Sequence, residues 1–329
     1  MFPFTLEQPS DIPAAIQLGE APAAEYIAGG TDMVQLLVDD IRRPERLIAL
    51  GGIVDNRIET APDGSLRLGA GARMSVVADD PAVRASFPLI AEALLASASP
   101  QVRNMATVGG NLLQRTRCPY FRDPGFRRCN KRSPGTGCEA MEGVNRTHAV
   151  LGGSDHCIAT HASDVAVALV ALNASVHLRR RSSERVVRLE DFHRLPESTP
   201  HLETVLEPGE LIVAIEVPPA GSFAQHSHYL KVRDRASFEF ALVSAAVALN
   251  TEGDRIRSAR IAMGGVGTKP WRMHAVEEAL AGSALDSSAF RMASERSAGG
   301  AVSRGGNAFK LELMKRTLTR ALEIAAGTA

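Results

Sequence analysis

The sequence predicts an α+β protein of two domains, and three observations carry that expectation. At 329 residues the chain exceeds a typical single domain and has ample material for a core. Short apolar runs closed by glycines alternate with segments whose apolar positions recur at helical spacing. The stretch Val217-Pro218-Pro219-Ala220-Gly221-Ser222 is the strongest linker signal in the chain and places a boundary near residue 220.

In chain order, SDIPAAIQL predicts a first helix with Ser10 as its cap and Pro13 in its first turn. The apolar run EYIAGGTDM follows, then a helical stretch from Met33 to Ile41. RLIALGG and SLRLGAGARM read as strands closed by glycines. Residues 86–99 have helical spacing, with Pro100 as the terminator. A turn-rich, basic segment runs from there to about Gly153. Asp164 opens a Val/Ala helix, which leads into a strand, and Glu210–Pro219 alternates as a strand should. Beyond the boundary, residues 226–250 read as a strand plus a buried segment and RIRSARIAMGGVG as a strand into a glycine turn. Phe309–Ala326 reads as an amphipathic helix with Asn307 as cap.

Formal net charge is zero, which removes the electrostatic argument for nucleic acid or an anionic membrane as the main partner. The longest apolar run, Phe240–Leu249, is far short of a bilayer span, so no membrane insertion is expected. The N-terminus has neither a basic n-region nor a long apolar core, so no signal of its own is expected and a cytoplasmic address is the default.

Two glycine pairs stand out, Ala28-Gly29-Gly30-Thr31-Asp32 and Thr107-Val108-Gly109-Gly110-Asn111. Consecutive glycines let backbone N–H groups converge on one point, which suits a pyrophosphate, although a tight turn needs them equally. Neither pair matches G-x-G-x-x-G, and GGVGTK at 264–269 fails the P-loop pattern.

All four cysteines, Cys118, Cys129, Cys138 and Cys157, fall in the basic segment. Arg115, Arg117, Arg122, Arg127, Arg128, Lys131 and Arg132 accompany them. Their spacing matches neither a zinc finger nor a ferredoxin. Four thiolates carry negative charge once metallated, so a 4Fe-4S cluster with cations around it, a four-thiolate zinc, and free thiols all remain open. Disulfides are the weaker option. Of the nearby histidines His148, His156 and His161, none is assigned as a ligand.

The tracts YIAGGTDMV, RPERLIAL, QVRNMATVGGNLLQ, HASDVAVAL, LKVRDRASFEFALVSAAVAL and MGGVGTKPWR occur in an order that resembles the FAD-binding subunit of the molybdenum hydroxylases, the xanthine oxidase and carbon monoxide dehydrogenase family. The resemblance covers essentially the whole chain. Within the family, NLLQRTRCPYFRD, CNKRSPGTGC and CIATHASD resemble the FAD subunits of three-subunit periplasmic aldehyde oxidoreductases. The corresponding subunit of 4-hydroxybenzoyl-CoA reductase carries a similar insert.

The resemblance implies a bipartite FAD-binding fold of the vanillyl-alcohol oxidase type over residues 1–220, with a cysteine-bearing insert at about 115–157. A smaller α+β domain over 221–329 completes it. It implies that Tyr26, Ile27, Ala28, Gly29, Gly30, Thr31, Asp32, Met33 and Val34 wrap the FAD pyrophosphate. Thr107, Gly110 and Asn111 would continue that grip, Asp164 would lie near the ribose or ribityl hydroxyls, and Lys231 near the flavin. It favours the 4Fe-4S cluster on the four cysteines. The implied partners are a large molybdenum-cofactor subunit, a small 2Fe-2S subunit and an external electron acceptor, with substrate oxidised on another polypeptide. Export with a partner that carries a signal is part of the same implication. A zinc-stabilised nucleotide-binding module and a self-sufficient flavin oxidase are the competing expectations.

Overall fold

The computed structural model describes residues 1–328, and three sheets organise them. The first is parallel, with β1 (Thr5–Glu7), β2 (Ala24–Ile27) and β3 (Arg46–Ala49) in the order β1-β3-β2. The helices α1 (Ile12–Gly19) and α2 (Met33–Val38) connect its strands. The second sheet is antiparallel. It contains β4 (Ile58–Thr60), β5 (Leu66–Gly69), β6 (Ser175–Arg179), β7 (Glu184–Arg188) and β8 (Leu211–Val217), in the order β4-β5-β8-β6-β7.

Between β5 and β6 run α3 (Met74–Asp79), α4 (Pro81–Ser86), α5 (Pro88–Ala96), α6 (Pro100–Met105), α7 (Val108–Leu112), α8 (Pro119–Arg122) and α9 (Asp164–Ala171). A short α10 (Leu189–Phe192) follows β7. The third sheet is again antiparallel, with β9 (Ser227–Val232), β10 (Val243–Glu252), β11 (Arg255–Gly264) and β12 (Trp271–Arg272) in the order β12-β11-β10-β9. The helices α11 (His274–Leu280), α12 (Ser287–Ser294) and α13 (Phe309–Ala326) complete the chain.

β10 explains the long apolar run. Side chains alternate across a strand, so its two faces enter two different cores. Ala246 and Ala248 pack in the large core with α5 and α9, whereas Val247 and Leu249 pack with α13. A strand covered on both faces has no polar side to display and reads as continuously apolar. The expected buried segment is therefore a strand.

Several expected boundaries move for local reasons. Asp11, not Ser10, caps α1, because its carboxylate accepts the Ala14 amide at 2.8 Å. α2 stops at Val38 instead of Ile41, since Asp40 has φ 61° and cannot continue a right-handed helix. Pro100 opens α6 rather than closing the preceding helix. That helix ends at Ala96, Ala98 turns with φ 49°, and the Ser99 hydroxyl caps the new one. Asn307 is not the cap of α13. It is fully buried, and its amide donates to Ala149 O at 3.0 Å while its Oδ1 accepts from the Arg304 amide. The short β4 and the helices α11 and α12 had no expectation attached to them.

No helix among the described residues is long and apolar enough to cross a membrane.

Candidate functional site

A groove of about 1110 Å³ runs along the junction of all three sheets. One wall is the turn between β2 and α2, and the next is the stretch from α6 into α7. The far side is formed by residues 206–212 and by the loop that joins β9 to β10. Pockets for small molecules commonly fall between ~300 and ~1,000 Å³, so this one has room for a dinucleotide.

The β2–α2 turn reaches the groove through its backbone. Among the described residues, the N–H groups of Gly29, Gly30, Thr31 and Asp32 meet no acceptor. Unpaired amides aimed at a groove are an anion-binding concavity. Gly30 has φ +71°, and a Cβ on Gly29 would fall 1.9 Å from Met105 O, so the two walls meet backbone to backbone there. That contact excludes any side chain at 29. Tyr26 is fixed below the turn, its hydroxyl donating to Gly209 O at 3.1 Å, and burial with Glu20 nearby pushes its pKa up to about 12. Residues Tyr26 to Met33 all line the groove. Val34 does not line it and is half exposed on α2.

The second glycine pair works differently from the expectation. It lies inside α7, and its amides are already satisfied: Gly109 N–H donates to Ala70 O at 3.0 Å and Gly110 N–H to Thr107 Oγ1 at 3.2 Å. Gly109 is small because a Cβ would meet Ala70 Cβ at 2.7 Å. What this segment offers the groove is the Thr107 and Asn111 side chains and the bare backbone of Gly109 and Gly110, all of them lining it.

Asn111 Oδ1 accepts from Ser163 Oγ, which ties α7 to α9. Ser163 caps α9, leaving Asp164 in the first turn with its carboxylate free for other partners. Asp164 Oδ1 accepts the Tyr229 hydroxyl at 2.7 Å, and Oδ2 accepts Lys231 Nζ at 2.8 Å and Ser97 Oγ at 3.1 Å. Lys231 Nζ also donates to Ala96 O at 3.1 Å. The expected flavin lysine and the expected hydroxyl-binding aspartate are thus one buried ion pair on the groove floor.

The sequence reading missed Ser97 and Tyr229, which complete this network, and the 206–212 wall. The β9–β10 loop also contributes, with Arg235, Phe238, Glu239 and Phe240 lining the groove mouth. Phe238 and Phe240 are both exposed, a state that no pattern in the sequence announces.

The four cysteines line one small cavity together with Tyr120, Phe121, Asn130 and Ala140. None is in a disulfide. Burial pushes the Cys118 thiol up to about 12 and Cys157 to about 11, and it raises Cys138 as well. The amides of Phe121 and Met141 donate to the carbonyls of Cys118 and Cys138, whereas the Ala159 amide donates to Cys157 Sγ at 3.5 Å. N–H donors around sulfur are the set that stabilises thiolates bound to iron. His148 Nε2 lies 3.1 Å from Cys118 Sγ. Among the described residues no three His, Cys, Asp or Glu side chains gather closely enough to hold a single metal ion.

The cations of this segment do not simply surround the thiols. Arg117 and Arg122 pair with Asp32, Arg115 and Lys131 with Glu203, and Arg128 with Glu142 at 3.2 Å. Arg132 is taken up by the carbonyls of Tyr120 and Phe121. Only Arg128 and Lys131 also line the thiol cavity. A polar cavity of about 200 Å³ separates that cavity from the groove. It shares Leu113, Gln114 and Arg115 with the groove and Lys131, Cys157 and Ala159 with the thiols.

Comparison with known proteins agrees with this geometry. Residues 2–220 match the family described as the FAD binding domain in molybdopterin dehydrogenase, and residues 228–325 match the CO dehydrogenase flavoprotein C-terminal domain. The chain is 46% identical to the aldehyde oxidoreductase FAD-binding subunit PaoB of Escherichia coli K12, over 94% of this chain and 93% of that protein. It is 28% identical to the glyceraldehyde dehydrogenase medium chain of Sulfolobus acidocaldarius, over 79% of this chain and 74% of that one. In fold it resembles a chain of the Cu,Mo-CO dehydrogenase crystal structure, with TM-score 0.77 and 24% identity over 100% of both chains. It also resembles a chain of quinoline 2-oxidoreductase from Pseudomonas putida 86, with TM-score 0.76 and 25% identity over 100% of this chain and 99% of that one. The chain belongs to the FAD-binding oxidoreductase subunits of the molybdenum hydroxylase family.

Proposed function

We propose that this chain is the electron-carrying FAD subunit of a molybdenum-containing aldehyde oxidoreductase. The observation that carries the reading is the 46% identity, sustained over 94% of the chain, to a protein named as the FAD-binding subunit of such an enzyme. Residues 1–220 form the FAD-binding domain and 221–329 the C-terminal one. In this reading the partners are a large molybdenum-cofactor subunit, where aldehyde is oxidised, and a small 2Fe-2S subunit.

FAD, when bound, supplies the electron-accepting chemistry that links the partner's clusters to an external acceptor. The chain's own residues hold and orient it. The Gly29–Asp32 amides grip the pyrophosphate, and Thr107 and Asn111 add side-chain donors from the opposite wall. The Asp164–Lys231 pair sets the floor without net charge, and the β9–β10 loop borders the mouth.

We assign Cys118, Cys129, Cys138 and Cys157 to a 4Fe-4S cluster. Their convergence on one cavity and the Ala159 amide donating to Cys157 Sγ support it. A mononuclear zinc needs its four sulfurs about 2.3 Å from one centre, whereas a cube takes one thiolate at each of its irons and spaces the sulfurs more widely. Iron and acid-labile sulfide analysis of the complex distinguishes the two.

The test is to purify the assembled complex and add an aldehyde without oxygen. Bleaching of the flavin band supports the reading. No bleaching with aldehydes but turnover of an aromatic acyl-CoA thioester would move the chain to a 4-hydroxybenzoyl-CoA reductase-like enzyme.

A further inference from the structure

Asp32 stands where the FAD groove meets the cysteine segment. Its Oδ1 lies 2.7 Å from Arg117 Nη1 and 2.8 Å from Arg122 Nη2, and its Oδ2 accepts the Arg115 amide at 2.7 Å. Arg122 is fixed in turn, its Nε donating to Thr116 O at 2.8 Å and its Nη2 to Arg115 O at 3.0 Å. Every hydrogen bond to this carboxylate therefore comes from residues 115–122. Arg117 extends the connection, since its guanidinium lies 5.1 Å from the Phe240 ring in the β9–β10 loop.

A carboxylate beside a phosphate is repulsive unless cations neutralise it, and this one is occupied by two guanidiniums. The turn's amides, not this side chain, face the anion. We infer that Asp32 is a positioning residue that couples the FAD-gripping turn to residues 115–122, so that FAD retention and the order of the cysteine segment depend on each other. The inference rests on the groove as the FAD site and is independent of what the cysteines bind.

Arg122 makes the coupling testable, because it touches Asp32 yet lines no part of the groove. In the assembled complex, Asp32→Asn and Arg122→Gln should each speed FAD release by roughly 10-fold or more, the loss expected when a charge-assisted hydrogen bond is removed. The double variant should release FAD little faster than the worse single one, because both changes cut one link. Coupling is reciprocal, so stripping FAD from the unaltered complex should speed amide hydrogen exchange in Pro119–Arg122, which also lies outside the groove. This second measurement needs no variant to fold. Wild-type FAD release in Arg122→Gln, additive effects in the double variant, or unchanged exchange in Pro119–Arg122 would each overturn the coupling. A wild-type complex that carries no FAD would instead remove the groove reading beneath it.

Discussion

Lys231 Nζ lies 2.8 Å from Asp164 Oδ2 on the floor of the groove, with the two side chains only 3% and 8% exposed. Residues 67 positions apart, on different sheets and helices, thus neutralise each other beneath the cofactor site. Ser97 and Tyr229 supply two further donors to the carboxylate. The ion pair leaves this part of the groove floor without net charge.

Breaking this pair from one side should be costly. Asp164→Ala leaves a buried ammonium and a buried phenol without their acceptor, and losses of about 3–5 kcal/mol are typical of such truncations. Urea unfolding of Asp164→Ala should show that loss, and adding Lys231→Met should restore part of it. If the double variant is as unstable as the sum of its singles, the two side chains do not act as a pair.

The two glycines of α7 should separate stability from binding. Gly109→Ala places a Cβ 2.7 Å from Ala70 Cβ and 2.9 Å from its carbonyl oxygen, an overpacking expected to cost about 1–3 kcal/mol. Gly110 has only Thr107 Oγ1 nearby, at 2.9 Å, and otherwise borders the groove. Gly110→Val should therefore lower bound flavin with a smaller fall in Tm. Flavin absorbance per chain and thermal melts of the two variants distinguish these outcomes, and a reversed order would contradict the placement of α7.

Acid should destabilise the fold through His193. Its Nε2 donates to Leu112 O at 2.9 Å, and burial pushes its pKa down to about 4. The unfolded chain, titrating near 6.5, holds more protons than the native state between those values, so stability falls as pH drops from about 6.5 toward 4. Above pH 6.5 both states are neutral and the group contributes no slope. Unfolding free energies across this window should drop by an amount on the order of 2–3 kcal/mol attributable to His193. The His193→Asn variant should show a correspondingly flatter profile, and equal slopes for the two proteins would rule the group out.

Much of this was legible in the sequence because it is local. The helix Phe309–Ala326 carries its own periodicity, and β2, β3, β5 and β8 are bounded by their own glycines and prolines. The Gly29–Gly30 turn declares itself by composition. What stayed hidden is long-range. Tyr229 and Ser97 matter only because β9 crosses beside α5 and α9, and no local pattern encodes that approach. Gly109 looked like a loop glycine, yet its smallness answers to Ala70, a neighbour 39 positions earlier in the sequence. The basic residues read as a halo for the cysteines, whereas Asp32 and Glu203, far away in sequence, take up Arg115, Arg117, Arg122 and Lys131.

The most direct test of the whole account is cofactor analysis of the purified complex, comparing the unaltered protein with Gly110→Val and Cys129→Ser. Stoichiometric FAD is expected on this chain, and Gly110→Val should remove it. Iron and acid-labile sulfide beyond that of the 2Fe-2S subunit are expected as well, and Cys129→Ser should remove them. A complex with zinc in place of that iron would contradict the cluster assignment, and one whose FAD survives Gly110→Val at full stoichiometry would contradict the groove.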